Sequence, residues 1–125
     1  MKLHTTTPTD ALVVTAYDAM GIAVAGRRLT RSFVLTPQRV IEDWSPDAVE
    51  KLCAEDMELL ATLACPIVLL GTGRRQRFPA PSLLRPLLER GIGVEVMDSF
   101  AACRTYNILI AEGRQVAAAL ILEVE

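Results

Sequence analysis

Histidine is nearly absent from this sequence: His4 is the single one among 125 residues. Acid–base chemistry near neutral pH leans on imidazole, so one histidine close to the chain start leaves that chemistry little to work with. Cysteine is also sparse. Cys53, Cys65 and Cys103 are odd in number, widely spaced and form no CxxC pair. With no histidine to complete a ligand set, no metal site is expected, and a disulfide framework is equally disfavoured. Three unpaired thiols suit a reduced, cytoplasmic protein. Neither sign of charge dominates: 13 basic and 15 acidic residues give a net charge of −2. That balance offers no basic face for nucleic acid and no charge run for an interaction tail. Long apolar runs are missing too. The longest, Val116 to Leu122, is far too short to cross a bilayer. The opening "MKLHTTTPTD" has no apolar h-region, so it does not read as a secretory signal.

What is present is a globular composition, 51% hydrophobic and 22% charged. A chain of this length suffices for one domain, 1–125, with a real core. Val13 to Tyr17 and Gly21 to Ala25 read as strands joined through Asp18 and Met20. "RRLTRSFVL", Arg27 to Leu35, alternates as a third strand ended by Pro37. After Trp44 the period changes. Ser45 is placed to cap a helix with Pro46 at its first position and Asp47 at the positive end of the dipole. Val49, Leu52, Cys53, Met57, Leu60 and Leu63 then recur at helical spacing up to Ala64, before Pro66. "PIVLLGTG" reads as a buried strand entering a glycine loop. Ser82 to Arg90 reads as a helix closed by Gly91, with Pro86 in its first turn. Gly93 to Met97 is the next strand, Ser99 to Glu112 a helix ending at Gly113, and Val116 to Glu123 the last strand. The expected fold class is therefore α/β: a three-layer single domain with a central mixed sheet, a β-α-β-α-β second half and an N-terminal antiparallel β-meander.

Two segments invite chemistry. "GTGRRQR", Gly71 to Arg77, looks like a phosphate loop, but a dinucleotide fingerprint needs a third glycine where Gln76 stands and an immediate helix where Pro79 intervenes. A tight turn with solvated arginines is the plain alternative. A right-handed crossover would bring Gly71, Thr72 and Gly73 beside Asp98 and Ser99. Open α/β sheets bind ligands at that edge, and free N–H groups at a helix start favour anions. The candidate ligand-binding residues are thus Gly71, Thr72, Gly73, Asp98, Ser99, Cys103 and Arg104, with a small anion as one ligand and no catalytic residue assigned. Either the crevice is open or Phe78 plugs it.

The second segment is "MDSFAACRTYNILIAEGR", Met97 to Arg114. Phe100, Cys103, Asn107 and Ile110 share one helix face, and Ala102, Tyr106 and Leu109 another, as expected of a helix wedged between layers. Cys103 lacks a base and reads as a buried structural thiol. Asn107 needs hydrogen-bond partners, supplied by a neighbouring segment in preference to a ligand. Arg104 can pair with Asp98 or face the crevice. Trp44 packs on Val49 as a staple, or anchors a partner if exposed.

"GVEVMDSFAACRTYNILIAEGRQVAAALI", with "IVLLGTG" and "DWSP" upstream, resembles a widespread domain of unknown function found in bacteria and archaea. Its eukaryotic relatives include a mitochondrial assembly factor for respiratory complex I and a vertebrate adipogenesis-associated protein. The resemblance implies a three-layer α/β fold with an added meander, and it brings no established catalytic residues; no cofactor is expected. The expected function is a non-enzymatic binding or assembly-type protein with a protein partner. The alternative is an enzyme or small-anion-binding protein using the crevice.

Overall fold

The computed structural model describes residues 10–123; His4 and the rest of the opening stretch through Thr9 lie outside them. Strands β1 (Val14–Asp18), β2 (Gly21–Val24) and β3 (Arg27–Leu29) form the expected antiparallel meander. The stretch Arg27 to Leu35, however, is two strands in two sheets. Arg27 and Arg28 sit exposed on β3, bonded to Glu42 and Asp18, whereas all of β4 (Phe33–Leu35) is buried. A half-solvated strand and a fully buried one need different surroundings, so the chain turns at residues 30–32 and changes sheet.

The second sheet has the order β5-β4-β8-β6-β7, with β5 (Val40–Ile41), β6 (Ile67–Gly71), β7 (Gly93–Met97) and β8 (Val116–Leu120). Strand β6 runs parallel to both β7 and β8, while β4 runs antiparallel to β8 and β5. It is the mixed sheet expected. Strand β8 regularises only to Leu120, short of Glu123, although the Ile121 N–H still reaches the Gly71 carbonyl at 3.0 Å.

The first helix is shorter than its periodicity suggests. Ser45 is exposed and caps nothing; a 3-10 turn (Val49–Lys51) comes first, and α1 spans Ala54–Ala61. Two facts explain the delay. Trp44 is buried and its Nε1–H donates to the Asp56 carbonyl at 3.2 Å, which holds the preceding chain across the core. Cys53 and Asp56 then form the reciprocal cap that starts the helix. The indole is thus a core group in the cluster that holds Val49. Helix α2 (Pro81–Glu89) begins at Pro81, which puts Pro86 in the second turn. The carbonyl it leaves without an N–H belongs to Ser82, an exposed residue, so solvent meets it.

Helix α3 (Ser99–Ala111) lies against β6, β8 and β1, wedged as its two apolar faces require. One core unites the meander, α3 and one face of the large sheet through Ile22, Phe33, Leu69, Cys103, Tyr106 and Leu120. The other lies between the opposite face and α1 and α2, through Trp44, Met57, Leu60, Val68, Leu70 and Leu87. Strand β8 serves both: Val116, Ala118 and Leu120 face one core, Ala117 and Ala119 the other. Its small side chains let the layers approach closely.

Candidate functional site

Strands β6 and β7 pair in parallel with Gly71 opposite Met97, so both end at one sheet edge. There the chain folds tightly on itself. The Ser99 hydroxyl donates to the Ile121 carbonyl at 2.6 Å and accepts the Gly73 N–H at 2.8 Å. The Ser99 N–H donates to the Gly73 carbonyl at 2.8 Å. The approach is so close that a Cβ on Gly71 would lie 2.8 Å from the Ser99 Cα. Gly73 has φ +97°, and a Cβ there would lie 2.6 Å from the Glu123 carboxyl carbon. That carboxylate accepts the Arg74 N–H at 2.8 Å. Thr72 donates its N–H to the Met97 carbonyl at 2.8 Å, and its Oγ1 donates to the Arg75 carbonyl at 2.5 Å and accepts the Arg77 N–H at 3.1 Å. The Thr72, Gly73, Arg74 and Arg77 amides are thus met by the chain's own groups.

Gly71, Thr72, Gly73, Asp98 and Ser99 therefore do come together. Asp98 caps α3 by accepting the Ala101 N–H at 2.8 Å. Cys103 does not join them. It is fully buried in the core, and desolvation pushes its thiol up to about 12. Arg104 also turns away: its Nη1–H donates to the Tyr17 hydroxyl at 2.9 Å, on the meander, not to Asp98. Among the described residues no group of three or more metal-ligating side chains assembles, and no helix is long and apolar enough to cross a membrane.

Beside the loop lies an open cavity of about 140 Å³. Gly73, Arg74, Ser99 and Phe100 form one side of it. The β1–β2 turn (residues 18–21), Thr30 and the segment 121–123 complete the wall. Phe78, 72% exposed, points elsewhere and plugs nothing. The Arg28 guanidinium, together with the Met20 N–H, holds the Asp18 carboxyl below its ordinary range. Tyr17 lies against Phe100 with ring centroids 4.7 Å apart.

The meander half of this wall escaped the sequence reading, since nothing local ties a β-turn near residue 20 to a loop near residue 73. What joins them is α3. Asn107 accepts the Val14 N–H at 2.9 Å and donates to the Val14 carbonyl at 2.8 Å, acting as a surrogate strand for the outer edge of β1. The Tyr106 hydroxyl donates to the Leu12 carbonyl at 2.8 Å. Asn107 was the signal: an amide on an apolar helix face has to find a backbone partner.

Residues 14–121 match the family described as protein of unknown function DUF498/DUF598. Among curated proteins, NADH dehydrogenase [ubiquinone] 1 alpha subcomplex assembly factor 3 of Bos taurus is 37% identical over 113 residues, 89% of this chain and 61% of its own length. The human protein of the same name is 33% identical over 90% of this chain, again 61% of its length. The chain thus spans under two thirds of these relatives. Among solved structures, a Bordetella parapertussis protein superposes with a TM-score of 0.85 at 40% identity, covering 92% of this chain and 98% of that one. A Mth938-like domain from Bordetella pertussis gives 0.81 at 35% identity, covering 100% of this chain and 94% of that one. An outer membrane protein of Bartonella henselae gives 0.80 at 27% identity, covering 94% and 99%. The chain belongs to the DUF498/DUF598 family of proteins of unknown function.

Proposed function

We propose that this protein works in the cytoplasm by binding a protein partner, as an assembly-type protein with no catalytic step of its own. One observation carries the reading: the groups that would make the sheet edge reactive are spent on structure. Ser99 and Glu123 take the Gly73 and Arg74 amides, and the Cys103 thiol lies apart in the core, buried and protonated. A nucleophile or an oxyanion hole needs such groups free and aimed outward. Relatives named as assembly factors across about nine tenths of this chain point the same way. The test is reciprocal affinity purification of tagged full-length chain, cross-linked in its native cell at native expression. The expected result is a stoichiometric protein partner that survives Cys103→Ala. A chain found only free, or a complex abolished in a Cys103→Ala protein that melts like the unmutated chain, refutes the reading.

A further inference from the structure

Resting on that partner-binding reading, we propose that the cavity beside the Gly73 loop is a seat for one uncharged aromatic ring carrying an N–H or O–H donor, of the phenol or indole class. Size is the first argument. An enclosed apolar cavity of about 150 Å³ accommodates benzene; this one, open to solvent, measures about 140 Å³, room for one ring. The lining is the second. Ala19, Met20, Phe100 and Leu122 supply methyl, thioether and ring surface, the partners an aromatic face packs against best, while Ile121 turns its side chain into the opposite core.

The polar groups of the wall narrow the guest further. The Ile121 and Leu122 N–H groups are bonded to the Gly71 carbonyl and the Ser32 hydroxyl, and both hydrogen-bonding roles of Ser99 are used. The Met20 N–H is taken by Asp18, which is itself paired with Arg28. Asp18 already takes both of these donors on one oxygen and is held by a guanidinium, so the Glu123 carboxylate keeps the greater acceptor capacity. It has about four acceptor positions, and the Arg74 N–H uses one on Oε1. It can accept a donor from a guest whose ring fills the apolar floor. The wall carries the Glu123 and Asp18 carboxylates, the latter paired with Arg28, and Arg74, so a full charge of either sign on the guest meets a like charge as well as an unlike one. A neutral donor meets no such penalty.

The ring has two sources: a free small aromatic, or a tyrosine or tryptophan side chain of the partner. The experiment is an NMR amide titration of the full chain with p-cresol, toluene, benzoate and benzylammonium. The expected result is saturable shifts at Ala19, Gly21, Phe100 and Leu122, with p-cresol bound roughly tenfold more tightly than toluene and neither ion competing. Glu123→Leu should bring p-cresol down to the level of toluene, and Ala19→Phe, on an exposed turn position, should abolish both. Tightest binding by benzoate or benzylammonium overturns the proposal, as does equal binding of p-cresol and toluene to the unmutated chain or the absence of shifts. Loss of the cross-linked partner complex in Ala19→Phe assigns the ring to a partner side chain. An intact complex with p-cresol binding lost assigns it to a free ligand. Failed titrations beside an intact complex sink this inference alone, leaving the binding function with another surface.

Discussion

Asn107 is the hinge pin between helix α3 and the meander, and replacing it with leucine tests the architecture directly. Asn107→Leu keeps the side-chain bulk but strands two backbone groups, the N–H and the carbonyl of Val14, now bonded at 2.9 and 2.8 Å. Val14 is 6% exposed, so little solvent reaches it. Orphaning a buried polar group costs about 1–3 kcal/mol; Asn107 is only partly buried and leucine adds some apolar burial, so the net loss for both groups should be about 2 kcal/mol. In urea, where small domains lose roughly 1–3 kcal/mol per molar, the midpoint should fall by about 1 M. Melting should drop by about 6–12 °C, from some 3–6 °C per kcal/mol at this chain length.

A second substitution separates hydrogen bonding from packing. In Asn107→Asp the ionised carboxylate still accepts the Val14 N–H but opposes the Val14 carbonyl, which disfavours the charged form and raises the folded-state pKa. Below that pKa the protonated acid regains a donor. The unfolded chain, with its ordinary carboxyl, ionises first as pH rises, so the deficit relative to the unmutated protein should shrink as pH falls below about 5. A pH-independent deficit, or an unchanged midpoint for Asn107→Leu, would refute the surrogate-strand account.

Thiol titration of the native protein at pH 8 should show one fast group, exposed Cys53, with Cys103 and Cys65 reacting only in denaturant, because burial raises both of their pKa values; rapid labelling of Cys103 would contradict this. The same shift sets an alkaline limit: the unfolded thiol ionises near 9.0 and the folded one at about 12, so stability should fall as pH climbs through that window, as equilibrium melts would show. Gly73→Val should lower stability by about 1–2 kcal/mol, since φ +97° strains any side chain and the Glu123 carboxylate has to leave the Arg74 amide to make room. Arg77→Ala removes only an exposed ion pair with Glu50 and should cost under about 1 kcal/mol; the reverse order in denaturant melts would mean the loop is not held as described. Gly71→Ala should be worse than its single methyl suggests, because the clash is with the backbone of α3, and a wild-type melt would refute that close approach.

The second half of the fold was legible because its signals are local. Strand Ile67–Gly71 is an apolar run between Pro66 and a glycine loop, Gly93–Met97 is a short valine-rich strand begun by glycine, and α3 opens on Asp98 and closes at Gly113. The first helix was misplaced because Ser45 and Pro46 make a good start signal that tertiary burial of Trp44 overrides. The split at residues 30–32 was missed because "RRLTRSFVL" alternates across it; only the change from an exposed sheet edge to a buried strand marks the break. The crevice residues came from topology, which a right-handed crossover makes dependable. What topology could not show is the occupant of the loop amides. Glu123 lies 49 positions from Arg74 in sequence and follows an apolar run that gives no hint of a bond between them.

That internal occupancy decides which guests the sheet edge can hold. An anion arriving at the Gly73–Arg74 amides has to displace the Glu123 carboxylate or the Ser99 hydroxyl, and it recovers only bonds of the kind it breaks. Exchange of like hydrogen bonds yields little net free energy. Displacing Ser99 costs more, because the same hydroxyl secures Ile121 and the start of α3. An apolar ring in the neighbouring cavity displaces no protein contact, and at about 25 cal/mol per Å² its gain comes from area removed from water. The meander therefore does more than lengthen the fold. By setting the turn at residues 18–21 opposite Phe100 and Leu122, it replaces the phosphate-type edge of an α/β sheet with an apolar seat.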